Sequence, residues 1–320
     1  MNRKYLRFFK SYTVLFLISW FGLAACNNKK SNAVEDTPTK GTIHISVDES
    51  FRPVIEEQIR VFERSFPGAK IIAHYKTEAD CFKDLFRDTT NRMIIVTRGL
   101  TDDEDFYFMD TLRYLPHWDA MAYDAITVLV NSKSNDTLFS LERLKDQLTG
   151  KVHRNQKVVF DGLNATSTVR FAMDSILKGQ PFDTSIVKAV KSSQDVIDFV
   201  AENENTIGFV GISWIGNPED SAQVNMLKKV KMAYVSCSKC ADTPYVKPMQ
   251  ASILTRRYPL VRGLYYILKE NYNGLGNGFV NFLNQERGQL IFKRAYLGTR
   301  MEFGIRKVRI NEKLSKDYQQ

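Results

Sequence analysis

Cysteine and histidine are scarce in this chain of 320 residues, which holds four of each, and tryptophan occurs three times. So few thiols exclude a small scaffold built on disulfides. His44, His74, His117 and His153 stand at no spacing that would add a second ligand pair to Cys237-Ser-Lys-Cys240, so neither a metal nor another cofactor is expected. Scarce histidine also leaves little room for nucleophilic catalysis. Ser167 with His153 and an aspartate is the available triad, yet there is no G-x-S-x-G elbow, and His153 lies in the polar, basic stretch Lys151-Val-His-Arg154. Beyond residue 25 no block of more than three Lys or Arg and no nucleic-acid motif occurs, which argues against a nucleic-acid partner. Internal repeats, heptads and apolar runs long enough to cross a bilayer are also missing. What remains is an ordinary globular composition, 43% hydrophobic and 25% charged, with length enough for two domains.

The longest apolar run, Val14–Ala25, spans twelve residues and follows the basic Arg3, Lys4, Arg7 and Lys10. That is the layout of a signal peptide. It ends in Leu23-Ala24-Ala25-Cys26, which resembles a bacterial lipobox, so residues 1–25 are expected to be removed and Cys26 acylated. Two or more acyl chains hold a protein stably to a membrane. Residues 26–40 are polar, lack apolar periodicity and read as a disordered tether. The leader has four basic and no acidic residues, so its loss lowers the formal charge from +9 to +5. Outside the cytoplasm Cys237 and Cys240 read as a local disulfide, with a redox or metal site as the alternative, and Cys81 is left over.

From Thr42 onward strands and helices alternate. Thr42–Val47, Lys70–Tyr75 and Met93–Val96 read as strands. Ser50 is placed to cap a helix that has Pro53 in its first turn and a stripe of Ile55, Ile59, Phe62 and Phe66. Asp80–Phe86 reads as a short helix, and Thr101-Asp-Asp-Glu104 is a capping box. Ala125–Val130 is apolar throughout, as for a strand buried on both faces. A helix capped by Ser140, a strand at Val158–Phe160 and a helix at Ser193–Asn203 follow. Thr206–Gly211, Val230–Ser236 and Ala251–Leu254 are expected strands. Pro259–Lys269, Leu275–Asn284 and Glu286–Ala295 read as three helices, and Lys307–Ile310 as a closing strand. Such alternation implies α/β sheets with parallel strands.

The stretch Asp161–Leu177 joins chemistry to this frame. Asn164-Ala-Thr-Ser-Thr168 stands between a strand and the apolar face of a helix, where unpaired N–H groups and the positive end of the helix dipole lie. Hydroxyls beside those donors would complete a cradle for an oxyanion, and Arg170 adds a forked cation. Plain capping is the alternative. Thr97 and Arg98 stand at the exit of another strand, where open α/β sheets place ligands; Arg98 paired with Asp102 or Asp103 on the surface is the bland reading. For Ser50 and Thr166–Thr168 to share a ligand, two domains must face each other across a cleft.

Ser46–Pro53, Ile94–Glu104, Thr206–Gly211, Tyr258–Arg262 and Phe279–Ile291 together resemble the phosphate-binding component of bacterial phosphate ABC importers, in a lipoprotein form like those of Bacteroidetes. The resemblance runs from about Gly41 to Ile310. It implies a two-lobed type II periplasmic binding protein fold, each lobe a mostly parallel sheet flanked by helices. Residues 41–125 with 250–310 would form lobe 1 and residues 126–249 lobe 2, with a tail at 311–320 and hinge crossovers near Asp124–Ile126 and Tyr245–Ala251. By position, Ser50, Phe51, Thr97, Thr166, Ser167, Thr168 and Arg170 would contact inorganic phosphate or a similar oxyanion. The implied protein is a monomer facing the periplasm, anchored through Cys26, that delivers its ligand to an inner-membrane permease. Two departures stand out. The contact loop has no glycine, and Arg98 occupies the place of an aspartate that accepts the proton of hydrogen phosphate. Asp48, Asp124 and Asp161 are the candidates to replace it. Binding of another oxyanion, service as an envelope sensor or scaffold, and envelope hydrolysis are the alternatives.

Overall fold

The computed structural model describes residues 36–151, 156–162, 165–237, 240–241 and 244–303. The expectations for the leader, Cys26, most of the tether, His153 and Lys307–Ile310 lie outside the described residues. In chain order, β1 (Lys40–Asp48), α1 (Arg52–Ser65), β2 (Gly68–Lys76), α2 (Glu78–Arg87), β3 (Asn91–Val96) and α3 (Asp102–Tyr107) lead into a long β4 (His117–Asn131). Then come β5 (Leu138–Phe139), α4 (Leu141–Leu148), β6 (Lys157–Phe160), α5 (Ser167–Ala172), β7 (Val187–Ala189), α6 (Ser193–Glu202) and β8 (Thr206–Gly211). The remainder is α7 (Ser221–Met226), β9 (Val230–Met232), β10 (Tyr234–Ser236), β11 (Tyr245–Val246), α8 (Gln250–Leu254), β12 (Val261–Leu268), α9 (Leu275–Asn284), α10 (Glu286–Arg294) and β13 (Gly298–Thr299).

The main sheet runs β2-β1-β3-β12-β4-β8-β6-β7, with β9 and β13 also on β4. One half has a parallel set, β2-β1-β3, and so has the other, β8-β6-β7. Both are joined through β4, which is antiparallel to β12 and to β8. β4 changes partner between two adjacent residues: Ala125 pairs with Val261 of β12, and Ile126 with Gly211 of β8. The chain thus forms the expected two-lobed α/β fold, with antiparallel strands at the centre beside the parallel ones.

Local sequence explains most elements. Ile55, Ile59 and Phe62 of α1 are buried and Phe66 packs against the same core, as the stripe implies. Thr101 and Glu104 form the reciprocal capping box of α3. Other expectations need correction. Pro259–Lys269 is not a helix: Val261–Leu268 is a strand hydrogen-bonded on both edges, to β3 and β4. Its Arg262, Leu264 and Tyr266 are buried on one face at period two. Ala251–Leu254, expected as a strand, is one turn of α8. Val230–Ser236 breaks at Ala233 into β9 on the main sheet and β10 in a small sheet with β5 and β11. Asp36, expected to lie in the disordered tether, is held in place: its carboxylate accepts from Leu275 N at 2.9 Å, Arg92 at 3.1 Å and Tyr272 Oη at 2.6 Å. Cys237 and Cys240 are joined in a disulfide, and Cys81 is a buried free thiol.

Candidate functional site

The ends of β1, β3, β8 and β12 and the start of α5 converge where β4 changes partner. Ser50 does not cap α1 as its position suggested. It sits in a 3-10 turn, Glu49–Phe51, whose cap is Asp48. Asp48 Oδ1 accepts from Ser50 N at 3.1 Å and Ser50 Oγ at 3.0 Å. This turns the Ser50 hydroxyl toward Ser167, whose Oγ lies 3.3 Å away although 117 residues separate the two. Arg262 organises the pair. Its Nη1 donates to Ser167 Oγ at 2.7 Å, its Nη2 to Ser50 Oγ at 3.0 Å and its Nε to Asp124 Oδ2 at 2.8 Å. The guanidinium carbon lies 4.9 Å over the Phe51 ring, a stacked position that an arginine fork suits. Ser50, Ser167, Asp48, Asp124 and Arg262 are all buried. Gly211 leaves room for them, since a Cβ there would stand 3.3 Å from both Asp124 Oδ2 and the Ser50 carbonyl.

The hydroxyls flanking Ser167 serve another carboxylate. Thr166 Oγ1 donates to Asp161 Oδ1 at 2.9 Å and Thr168 Oγ1 to Asp161 Oδ2 at 3.2 Å. Thr166 is also the N-cap of α5, its side chain accepting from Val169 N at 3.4 Å. Its backbone is extended, with φ −88 and ψ 151, so α5 is entered without the left-handed residue that a glycine would supply.

A second group forms around Glu78, the first residue of α2. Glu78 Oε1 accepts from Thr97 N at 2.9 Å and Thr97 Oγ1 at 2.5 Å, and Oε2 accepts from Arg170 Nε at 2.7 Å. Arg170 Nη2 reaches Thr97 Oγ1 at 2.6 Å. Nearby, Ser193 Oγ donates to Glu49 at 2.9 Å, and the Ser50 carbonyl accepts from Ser213 Oγ at 3.2 Å and Trp214 Nε1 at 3.0 Å. Arg98 is directed elsewhere. It forks onto Glu104 at 2.6 and 2.8 Å and lies 3.7 Å over the Phe82 ring, pairing with neither Asp102 nor Asp103.

Burial dominates the carboxylates. It pushes the Asp48 carboxyl up to about 7, with Arg262 pulling down and Glu78 adding to the rise. Asp161 is pushed up to about 6 by burial against the pull of the Thr166 hydroxyl. Asp124 is raised by burial in spite of Arg262. For Glu78 burial acts upward too, but Arg170 and Thr97 outweigh it and hold the group below the usual carboxylate range. Buried acceptors beside hydroxyls and two forked cations can bind a small oxyanion that still carries a proton. Among the described residues no cluster of three or more His, Cys, Asp or Glu forms a metal site.

Arg262, Glu78 and the pairing of Asp48 with Ser50 were not reached from sequence as site residues. The available signal was a single arginine inside the apolar run Val261–Leu268, which only a strand reading turns into a buried charge.

A two-lobed α/β fold with hydroxyls and arginines gathered at the joint defines a solute-binding architecture. Residues 32–287 match the family described as the PBP superfamily domain, and the chain belongs to that family. Among solved structures it is similar to a protein from Clostridium perfringens determined with bound phosphate, at 19% identity and TM-score 0.67, covering 82% of this chain and 100% of that one. It is also similar to an ABC-type phosphate transport receptor from Vibrio cholerae, at 17% identity and TM-score 0.58, covering 81% and 100%. Full-length OxyR from Pseudomonas aeruginosa matches at 10% identity and TM-score 0.51, covering 86% and 76%. At these identities the likeness establishes the fold. No curated protein matches the chain.

Proposed function

We propose that this protein captures inorganic phosphate between its two lobes and delivers it to an ABC importer, as an envelope lipoprotein tethered through Cys26. The lobes would be residues 41–125 with 250–310, and 126–249, hinged where β4 changes partner and along Tyr245–Ala251. The observation that carries the reading is the meeting of Ser50 and Ser167 on the fork of Arg262. The phosphate-bound Clostridium perfringens structure and the Vibrio cholerae receptor support it through their fold. Phosphate is favoured over sulfate because Asp48 Oδ2 is a buried acceptor with no hydrogen-bond partner among the described residues. Hydrogen phosphate has a proton to give it, whereas sulfate would leave it unpaired at a cost of about 1–3 kcal/mol. Capture rather than hydrolysis fits Ser167, whose hydroxyl is engaged by Arg262 and Ser50. The lipobox-like Leu23-Ala24-Ala25-Cys26 supports attachment through lipid on Cys26, with the body a monomer facing the periplasm; no described helix is long and apolar enough to cross a membrane.

Isothermal titration of the detergent-solubilised full chain tests this. One phosphate should bind per chain, with sulfate at least about tenfold weaker. A flat titration with phosphate, sulfate and molybdate alike removes the reading.

A further inference from the structure

One buried carboxylate beside the Arg262 group takes the very donors that an oxyanion needs. Glu78 is buried, and its side chain collects a backbone N–H and a hydroxyl from Thr97 and a guanidinium from Arg170, at 2.5 to 3.2 Å. Arg170 comes from α5, whose first residue is Ser167 of the Arg262 group, while Thr97 directly follows β3. A carboxylate and a phosphate present similar oxygens, and one set of donors cannot satisfy both. Two anions drawn together in a buried site also repel.

We infer that Glu78 is a built-in competitor for the anion, holding Thr97 and Arg170 until the ligand displaces it and so setting how tightly the ligand binds. This rests on the phosphate reading above. Arg170 tolerates the exchange, whereas Glu78, with a side chain 5% exposed, must take up a proton or turn toward solvent when displaced. The Arg170 side chain is 37% exposed and has a second partner in Asp174 at 3.3 Å, so release from Glu78 leaves no buried, unpaired cation. It also gives α2 and α5 a shared contact that ligand entry would break, beside the backbone bond from Ala79 N to the Ala165 carbonyl at 3.2 Å.

The test is phosphate titration of the full chain carrying Glu78→Gln, Glu78→Ala, Arg170→Ala and the Glu78→Ala/Arg170→Ala pair. Both Glu78 variants should bind phosphate about tenfold more tightly or better, and the gain should disappear when Arg170 is also gone. A merely structural role for Glu78 predicts no gain that depends on Arg170. Unchanged or weaker binding in both Glu78 variants overturns the inference, as does an equal gain without Arg170. If neither the wild type nor any variant binds phosphate, the phosphate reading itself fails.

Discussion

Arg262 shows how one residue ties stability to chemistry. Its side chain is 2% exposed and pairs with an Asp124 side chain that is fully buried. Removing one member of a buried ion pair strands the other and costs about 3–5 kcal/mol, whereas replacing both with apolar groups is often close to neutral. Arg262→Met should therefore lower stability by about that amount in urea unfolding, and Arg262→Met with Asp124→Leu should recover most of it. Equal losses in single and double variants would refute the pairing. Asp48 gives a second prediction, in pH. Its folded pKa of about 7 lies above the ordinary aspartate value of 3.8, so between the two the native state holds more proton than the unfolded chain. The stability it contributes is full below pH 4 and is lost as pH rises through 7. Asp48→Asn should thus gain on the wild type between pH 5 and pH 8, measured by urea midpoints. Glu78 has the opposite sign: its lowered pKa gives stability above its ordinary range that is lost as pH falls further.

Among the elements, helix α9 shows a tolerance set by neighbours rather than by propensity. Gly278 lies on the face that meets the first described residues, and a Cβ there would fall 1.8 Å from the Pro38 carbonyl oxygen. Backbone cannot yield as a side chain tip can. Gly278→Ala should cost about 1–3 kcal/mol by overpacking, although alanine favours helices. Faster proteolysis near Pro38 together with a lower urea midpoint would confirm it, and unchanged stability would contradict it. The same contrast explains what was legible in the sequence. Amphipathic α1, the α3 capping box and Thr206–Gly211 declare themselves because their pattern is local. β12 does not, since Val261, Leu264, Tyr265 and Leu268 also fit a helical stripe, and only pairing with β3 and β4 decides between periods. Thr97, Ser167 and Arg170 were legible as strand and helix ends. Glu78 and Arg262 were hidden because their partners lie 92 and 138 residues away.

For the whole molecule, capture requires the two proposed lobes to move about the joint in β4, and one side chain is placed to report it. Trp214 follows β8, is 9% exposed and donates its indole N–H to the Ser50 carbonyl at 3.0 Å. That bond lies beside the hydroxyl pair and links the two proposed lobes, so any change in the approach of Ser50 and Ser167 alters the polarity around the indole. Only three tryptophans exist in the chain, and Trp118, on β4 near Gly99, is 36% exposed and away from this contact. Phosphate titration should therefore shift the intrinsic fluorescence with the same midpoint as calorimetry. Trp214→Phe should abolish most of that shift while leaving phosphate heat measurable, and Trp118→Phe should leave the shift in place. A ligand that enters without domain movement would give full heat and unchanged Trp214 emission, which would reduce the protein to a rigid receptor and remove the hinge at Ala125–Ile126 from the account.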